Sequence, residues 1–363
     1  MSEYRASLEA MDRSGLYSNF GPLERQLEKE ILARQFQGEG ALTTVANATL
    51  GLMLAIAALQ RRRGGWALMP SFTFAATPLA AMWCGLRPYF LDIDPRDWTL
   101  SAQHLSAALE RFGEDVAVVV PYATFGCPMD LEPYARLHHD GFPVVVDAAP
   151  GMGVEASGRQ FGAGFPGAVV FSLHATKPFG IGEGGLVYSA DPALVARVRA
   201  DSNFGFDSSR AAVTPGLNAK LSEPAAAIGL AVQRSLGART QARRQLARVY
   251  MDQLADRGML AAGWSVQEPG PSCPQFVSVL CPSGRPNQTY VAALAREGIE
   301  CRTYFCPACH AQPAFAAAGR GELACTEDTS ARVLSLPFPE GMGTEEVSAV
   351  LGALQQCDRD AVR

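Results

Sequence analysis

Residues 172–189 read SLHATKPFGIGEGGLVYS, a stretch that places one lysine, Lys177, between a strand-like apolar run and a cluster of glycines. The chain has only two other lysines, Lys29 and Lys220, whereas arginine is common. A lysine in mainly apolar surroundings can have a lowered pKa and form a Schiff base with a carbonyl compound. A solvated surface lysine is the alternative, but the hydroxyl of Ser172 before Lys177 and the glycines after it favour a functional position.

The segments before and around Lys177 alternate between helical and strand patterns. Valine-rich runs at 115–123 and 142–150 predict buried strands, and the runs at 168–174 and 184–190 predict two more. Near-continuous valine runs between helices are typical of a parallel sheet that is covered on both faces. The sequence therefore predicts an α/β fold.

The pattern changes in the last third of the chain. Residues 224–256 predict one long helix, and a strand at 276–281 and further helices follow it. Long helices often link domains. We therefore predict a large domain over 1–235, which includes the N-terminal segment, and a second unit over 236–363, which comprises a linker helix and a smaller C-terminal α/β domain.

Composition and charge limit the classes of partner. The net charge is −5 and no large basic block is present, which disfavours nucleic acid and an anionic membrane. The N-terminal residues 1–15 carry acids and lack the apolar core of a signal peptide, and the longest apolar run, 48–59, is too short to span a bilayer. Nine scattered cysteines, an odd number, are most simply reduced thiols. We therefore expect a cytoplasmic protein.

Four further positions could carry chemistry. Asp147 ends a predicted strand, at the edge where parallel sheets bind ligands, and its carboxylate could pair with a protonated ring nitrogen; a salt bridge or a helix cap is the alternative. Ala48 and Thr49 open a helix whose free N–H groups could bind an anion, although ordinary capping explains them equally well. Phe74 follows a strand end and could stack on a planar ligand or pack in the core.

Taken in order, the motifs resemble those of the DegT/StrS-type sugar aminotransferases, a branch of the fold-type I pyridoxal-phosphate (PLP) enzymes. The resemblance covers nearly the whole chain, and the HATK segment with its trailing GEGG is highly specific. The matching segments are NFGPL (19–23), NATLGL (47–52), PSFTFAAT (70–77), FLDID (90–94), VVDAA (145–149), SLHATKPFGIGEGG (172–185), GLNAKLSEPAAAIGL (216–230), TYFCPACHAQPAF (303–315) and LSLPFPEGM (334–342).

The resemblance implies a fold like that of aspartate aminotransferase, with a mixed, mostly parallel seven-stranded sheet flanked by helices. It also implies that PLP forms an internal aldimine with Lys177, whose freed amine then moves a proton, and that Asp147 keeps the pyridine nitrogen protonated. No metal is implied. The other implied cofactor contacts come from Ala48, Thr49 and Ser172 at the phosphate, Phe74 on the ring, and Asn218 at the phosphate of the other subunit in a homodimer.

The same resemblance implies that an amino group moves from an amino acid, typically L-glutamate, to a nucleotide-linked keto-sugar. The motifs are most similar to enzymes that act on dTDP-4-keto-6-deoxyglucose. A cyclitol or an antibiotic precursor is an alternative acceptor. A PLP-binding regulatory or sensory protein without turnover is an alternative function, against which the intact Lys177 and Asp147 count. Substrate contacts are expected from Phe20, Arg302, Tyr304 and His310, for which plain packing is the alternative.

Two positions depart from the family pattern. Pro150 stands three residues after Asp147, where the family usually has Gln or His beside the 3-hydroxyl of the cofactor. Lys220 stands where Arg is common, which a solvated charge tolerates. A branch of the family that dehydrates sugars has His in place of the Schiff-base lysine, so Lys177 favours transamination.

Two other motifs have misleading resemblances. Gly180, Gly182 and Gly185 spell G-x-G-x-x-G, but a dinucleotide fingerprint needs a following helix, and LVYSA predicts a strand. Residues 306–310 spell C-x-x-C-H, but haem attachment needs export, and a zinc site that included Cys301 would lack a clear second ligand pair. We therefore expect neither a nicotinamide site nor a metal.

Overall fold

Helices and strands alternate along residues 2–360, which are the residues that the computed structural model describes. The helices are α1 (Ser2–Ser14), α2 (Pro22–Gln35), α3 (Ala48–Leu59), α4 (Ala76–Trp83), α5 (Ala102–Phe112), α6 (Glu132–His139), α7 (Pro192–Asp201), α8 (Glu223–Asp256), α9 (Asn287–Arg296), α10 (Ala324–Arg332) and α11 (Thr344–Asp360). The strands are β1 (Ala41–Val45), β2 (Trp66–Pro70), β3 (Arg87–Leu91), β4 (Val116–Val119), β5 (Val145–Asp147), β6 (Glu155–Ala156), β7 (Arg159–Gln160), β8 (Ala168–Ser172), β9 (Gly185–Ser189), β10 (Ser265–Val266), β11 (Val277–Leu280), β12 (Gly319–Arg320) and β13 (Val333–Leu336).

The valine-rich strands lie at the centre of a large mixed sheet. Strands β1-β9-β8-β5 form one hydrogen-bonded group and β12-β3-β2-β4 form another. Isolated parallel bridges, Val119 with Val144 and Tyr122 with Asp147, join β4 to β5. All pairs are parallel except β1 with β9 and β8 with β9. The predicted α/β fold with a mixed, mostly parallel sheet is therefore confirmed.

Several predicted boundaries need correction. The apolar run at 72–85 predicts one helix from the sequence, but α4 begins only at Ala76. Residues 72–75 instead form a turn in which the Thr77 N–H donates to the Phe74 carbonyl at 3.1 Å. Strand β4 ends at Val119, two residues before Pro121, which has no N–H for a ladder. The sequence reading also did not predict strand β1, which pairs antiparallel with β9.

The sequence predicts that Asn47 caps a helix that runs through Leu59, and the structure of α3 confirms it. The Asn47 side chain accepts a hydrogen bond from the Leu50 N–H at 2.9 Å. This bond leaves the N–H groups of Ala48 and Thr49 pointing from the first turn of the helix, where the positive end of the helix dipole lies. The start of α3 is therefore suited to an anion.

The C-terminal part contains a second sheet, in which β10, β11 and β13 pair antiparallel. Trp264, Tyr290 and Leu351 belong to its separate apolar core. The predicted domain boundary after residue 235 falls within α8, and β12 returns to pair with β3 of the large sheet. The division into 1–235 and 236–363 stays a prediction, and residues 1 and 361–363 lie outside the described residues. Among the described helices, none combines the length and the apolar character that crossing a bilayer requires.

Candidate active site

Asp147 lies at the carboxyl end of β5 and is only 2% exposed. Its Oδ2 accepts a hydrogen bond from Thr77 Oγ1 at 2.7 Å, and its Oδ1 accepts one from the Ala149 N–H at 3.1 Å. Burial raises the pKa of this carboxyl, whereas the bonds from Thr77 and Ala149 and the nearby Lys177 oppose the rise. The carboxylate is thus fixed in position at the edge of the sheet.

A short chain of hydroxyls reaches Asp147 from the turn before α4. Thr77 uses its hydroxyl hydrogen on Asp147, so Thr73 Oγ1, which lies 2.8 Å from Thr77 Oγ1, donates to it. The Thr73 carbonyl in turn accepts from the Cys309 thiol at 3.2 Å. The sequence reading singled out neither threonine. The signal it could have used is that Thr77 lies three residues after Phe74 in a matching motif.

Lys177 lies on the loop after β8, next along the sheet from β5. Its Nζ donates to Oε1 of Gln275 at 2.9 Å, and it is close enough to Asp147 to interact electrostatically. Burial lowers the pKa of the amine to about 8, and Asp147 opposes this shift. The unprotonated fraction of this amine near neutral pH is therefore much larger than that of an ordinary lysine.

The residues predicted to bind an anion lie together. Ser172 pairs with Gly185 across β8 and β9, and a Cβ atom on Gly185 would lie 2.7 Å from the Ala48 backbone nitrogen. Only glycine therefore leaves the first turn of α3 uncovered on this side. The Ser172 Oγ accepts from the His174 N–H at 3.2 Å, and its own hydroxyl hydrogen has no acceptor among the described residues. The structure thus brings Ser172 beside Ala48 and Thr49.

Phe74 lies in the turn after β2 and is 56% exposed, in contrast to the fully buried Phe72 two residues earlier. Its ring centroid lies 6.2 Å from that of Phe305, and Tyr122, which bridges to Asp147, also packs on Phe305. Phe74 lies just before α4, whose Thr77 binds Asp147, and its uncovered aromatic ring provides a surface on which a planar ligand can stack.

Two of the predicted substrate contacts line one groove. Arg302 and Tyr304 lie along a groove of about 840 Å³, together with Thr176 and Gln275, which are neighbours of Lys177. The Tyr304 ring stacks on Phe276 with centroids 5.5 Å apart, and the Arg302 guanidinium forms an ion pair with Glu300. Arg302 therefore lines the same groove as the neighbours of Lys177, and its guanidinium is paired with the Glu300 carboxylate.

His310 is held against the end of β2. Its ring Nδ1 lies 2.7 Å from Ser71 Oγ, and its backbone N–H donates to the same oxygen at 3.1 Å. Its ring Nε2 lies 3.6 Å from a carboxylate oxygen of Glu327. Burial lowers the pKa of His310, and Glu327 opposes the shift. With these partners His310 attaches the loop that follows Tyr304 to the large sheet. A substrate that contacted the His310 ring would have to share it with Ser71 and Glu327.

The remaining two predicted residues, Phe20 and Asn218, have different surroundings from each other. The Phe20 ring packs under the Arg199 guanidinium, 4.0 Å from its centre. The Asn218 Oδ1 accepts from the Lys220 Nζ at 2.7 Å, and the adjacent Ala219 carbonyl accepts from the Ala46 N–H. Asn218 therefore lies close to the start of α3, whereas no contact between Phe20 and the surroundings of Lys177 is present within residues 2–360.

Pro150 is buried directly after Asp147 and Ala149, and it brings no polar side chain to the site. The cysteines of the C-x-x-C-H segment have separate surroundings: Cys309 is buried against Thr73, and Cys306 is half-buried. Across residues 2–360, no group of three or more potential metal ligands occurs. As predicted, a strand follows the glycine cluster after Lys177.

These groups fit PLP in the chemistry of their donors. The open first turn of α3 suits a phosphate, the buried Asp147 suits a pyridinium nitrogen, the Lys177 amine suits an aldehyde, and the exposed Phe74 ring suits a flat heterocycle. Gln275 also belongs to this site. The sequence reading missed it, because no local pattern marks a residue that is 98 positions from Lys177.

Residues 1–355 match the DegT/DnrJ/EryC1/StrS aminotransferase family. A protein assigned as a PLP-dependent aminotransferase from Bacillus cereus ATCC 10987 superposes with a TM-score of 0.96 at 45% identity, over 97% of this chain and 96% of that chain. DesI, solved in the presence of its TDP-sugar product, gives a TM-score of 0.88 at 33% identity, over 98% of this chain and 90% of that chain.

Among curated proteins, protein Rv3402c of Mycobacterium tuberculosis strain H37Rv is 34% identical over 352 residues, which is 94% of this chain and 84% of the relative. The family match extends over almost the whole sequence, and the structural similarity is to PLP-dependent enzymes that include a sugar aminotransferase. The chain therefore belongs to the DegT/DnrJ/EryC1/StrS aminotransferase family, and its cofactor is pyridoxal 5′-phosphate.

Proposed function

We propose that the protein transfers an amino group from L-glutamate to a nucleotide-linked keto-sugar, and that the sugar is a dTDP-4-keto-6-deoxyhexose. The observation that carries the proposal is the pairing of a buried, fixed Asp147 with a Lys177 amine of lowered pKa beside a groove of about 840 Å³. The similarity to DesI, which was solved with its TDP-sugar product, supports the choice of nucleotide.

Asp147 and Lys177 have different tasks in this reaction. When bound, PLP supplies the electron sink for the bond changes at the amino-bearing carbon. Asp147 holds a proton at the ring nitrogen of the cofactor, which its buried carboxylate can do because Thr77 and the Ala149 N–H keep it in place. Lys177, as a neutral amine, takes the proton from the α-carbon of the amino donor.

The other proposed contacts orient the cofactor. Ala48, Thr49 and Ser172 bind the phosphate through N–H and hydroxyl groups at the start of α3. Phe74 covers one face of the ring. Asn218 reaches the phosphate in the site of a second protomer, so the proposal includes a homodimer in which two chains build each site.

The groove beside Lys177 is the proposed place of the sugar nucleotide. Tyr304 and Arg302 line it, and a guanidinium is well suited to a diphosphate because it donates two parallel hydrogen bonds. His310 and Phe20 are the other proposed substrate contacts. Phe20 packs under Arg199 and does not line the groove, so we propose that it contacts substrate in the site of a second protomer.

The test incubates the PLP-loaded protein with L-glutamate and a panel of dTDP-, UDP- and GDP-linked keto-sugars. The products are identified by mass spectrometry. We expect an aminated dTDP-sugar and one equivalent of 2-oxoglutarate. Reaction of glutamate without amination of any nucleotide sugar would point to a cyclitol or antibiotic precursor as acceptor. A protein that binds PLP and reacts with no amino donor would contradict the proposal and favour a regulatory role.

A further inference from the structure

The Lys177 amine has one direct hydrogen-bond partner among the described residues, and that partner comes from the C-terminal sheet. Lys177 Nζ donates to Gln275 Oε1 at 2.9 Å. Gln275 precedes β11, whereas Lys177 follows β8 of the large sheet. The contact therefore joins the two sheets at the reacting group.

We propose that Gln275 is a positioning residue, which holds the free Lys177 amine through one N–H and leaves the nitrogen lone pair directed elsewhere. This inference rests on the proposed role of Lys177. The argument is geometric: a carboxamide oxygen can only accept, so it can bind an N–H of the amine but cannot occupy the lone pair that must take a proton from the substrate. An amide also carries no charge.

The position of Gln275 is fixed on several sides. The Arg243 guanidinium, which is 11% exposed, donates from Nη1 to the carbonyls of Pro274 and Gln275 at 3.2 and 3.1 Å. The next residue, Phe276, packs edge-on against Phe125 with centroids 5.1 Å apart. The backbone of Gln275 is therefore held by packing and hydrogen bonds, which places its side chain next to Lys177.

The orientation of the amide is also defined. Gln275 Nε2 donates to Thr176 Oγ1 at 3.4 Å, which turns the amide oxygen toward Lys177. Thr176, which is next to Lys177 in the sequence, thus orients the Gln275 amide so that its oxygen faces the lysine. In the reverse orientation an amide N–H would face the amine, where it could bond only to the nitrogen lone pair that must take the proton.

The charges around Lys177 determine what an amide contributes. Asp147 faces the amine from β5, and the pair His174 and Glu183, with Nε2 and Oε1 3.7 Å apart, lies on the loop of Lys177 itself. From the C-terminal side, Arg243 and Glu340 face the segment that carries Gln275, 3.8 Å from each other. A carboxylate in place of Gln275 would add a second anion beside the amine and favour its protonated form.

The experiment measures the basicity of Lys177 directly. The full-length protein is freed of PLP and pulse-acetylated with acetic anhydride between about pH 6 and about pH 11, a range that spans ordinary and lowered lysine pKa values. Acetylation is quantified peptide by peptide. Because the chain has only three lysines, Lys29 and Lys220 serve as references in the same spectra. The variants are Gln275→Leu and Gln275→Glu, with Gln312→Leu as control, since the Gln312 amide bonds the Pro307 carbonyl.

In the wild type, we expect Lys177 to react with a midpoint near pH 8. Loss of the accepting oxygen in Gln275→Leu should lower the midpoint by roughly one pH unit, because an ammonium donates a stronger hydrogen bond than a neutral amine. The added charge in Gln275→Glu should raise it by about one unit or more. The control and the two reference lysines should not move.

Opposite shifts in the two variants cannot come from a general loosening of the site. If both variants leave the Lys177 midpoint where it is in the wild type, or shift it in the same direction, the positioning role is wrong. This outcome is separate from the proposed function. A midpoint that responds to Gln275 in a protein that aminates no sugar would retain the inference and reject the function, and sugar amination with an unresponsive midpoint would do the reverse.

Discussion

Asp147 and Lys177 act at the ends of neighbouring strands, but the protein holds them in different ways. Asp147 is part of β5, is almost fully buried, and receives hydrogen bonds from a side chain and from the backbone. Lys177 lies beyond the end of β8 on a glycine-containing loop, and its amine has a single hydrogen bond among the described residues, to Gln275. The Asp147 carboxylate is thus held by the sheet and two donors, whereas the Lys177 amine is held by one hydrogen bond.

This difference matches the tasks that we propose. A carboxylate that keeps a ring nitrogen protonated has no reason to move, and rigid donors on both oxygens keep it in place. An amine that must take up and release a proton needs freedom of its side chain and a pKa near the working pH. The sheet and two donors hold the first in place, whereas the second lies on a loop with one hydrogen bond at its amine.

The largest effect on turnover is expected from replacing Lys177. Lys177→Ala should lower turnover by roughly 10³-fold or more, because it removes both the point of attachment and the proton carrier. Turnover is measured as 2-oxoglutarate formation from L-glutamate and the sugar substrate. Lys29→Ala is the matched control, since it removes a lysine from α2, outside the site. Thermal unfolding should be nearly unchanged in both, and normal turnover of the Lys177 variant would remove Lys177 from the reaction.

Replacing Asp147 should lower turnover more than it lowers the affinity for PLP. Asp147→Ala should reduce turnover by about 10²-fold, because it removes a preorganised charge at the ring nitrogen. The affinity for PLP should fall much less, because the phosphate contacts at α3 remain. Turnover and a PLP titration followed by absorbance measure the two quantities. An equal loss in both would make Asp147 a structural anchor and end the contrast with Lys177.

The smallest effect concerns the support of Asp147. Thr77→Val removes the hydrogen bond that lowers the pKa of Asp147, so this pKa should rise further. The carboxyl then stays protonated to higher pH, and the acid limb of the pH–rate profile should move to higher pH. We expect a loss of roughly 10-fold at neutral pH, on the scale of one hydrogen bond to a charged group. Thr77→Ser, which keeps the hydroxyl, should retain the wild-type profile. An unmoved acid limb in Thr77→Val would show that this bond does not tune Asp147.

The sheet was predictable because its strands are buried on both faces and read as unbroken valine runs. Strand β1 was not, because its sequence ALTTV mixes threonine with apolar residues and follows no clear alternation. The start of α4 was also missed. Phe72 and Phe74 continue its apolar pattern, but the chain turns there to expose Phe74.

Candidate residues of the site that belong to local motifs could be proposed from the sequence. Asp147 ends a strand, Ala48 and Thr49 begin a helix, and Lys177 is one of three lysines. Gln275 could not, because its importance depends on a tertiary contact between two sheets. Arg302 shows the converse: its charge marks it as a ligand contact, and only the structure reveals that Glu300 already pairs with it.

The measurement that tests the central claim most directly is the site of covalent attachment of PLP. The loaded protein is reduced with borohydride, digested, and mapped by mass spectrometry. We predict that the cofactor mass is found on the peptide that contains Lys177, and that Gln275→Leu retains this attachment. Cofactor mass on Lys29, on Lys220 or on the N-terminal amine instead, or on no peptide at all, would contradict the account.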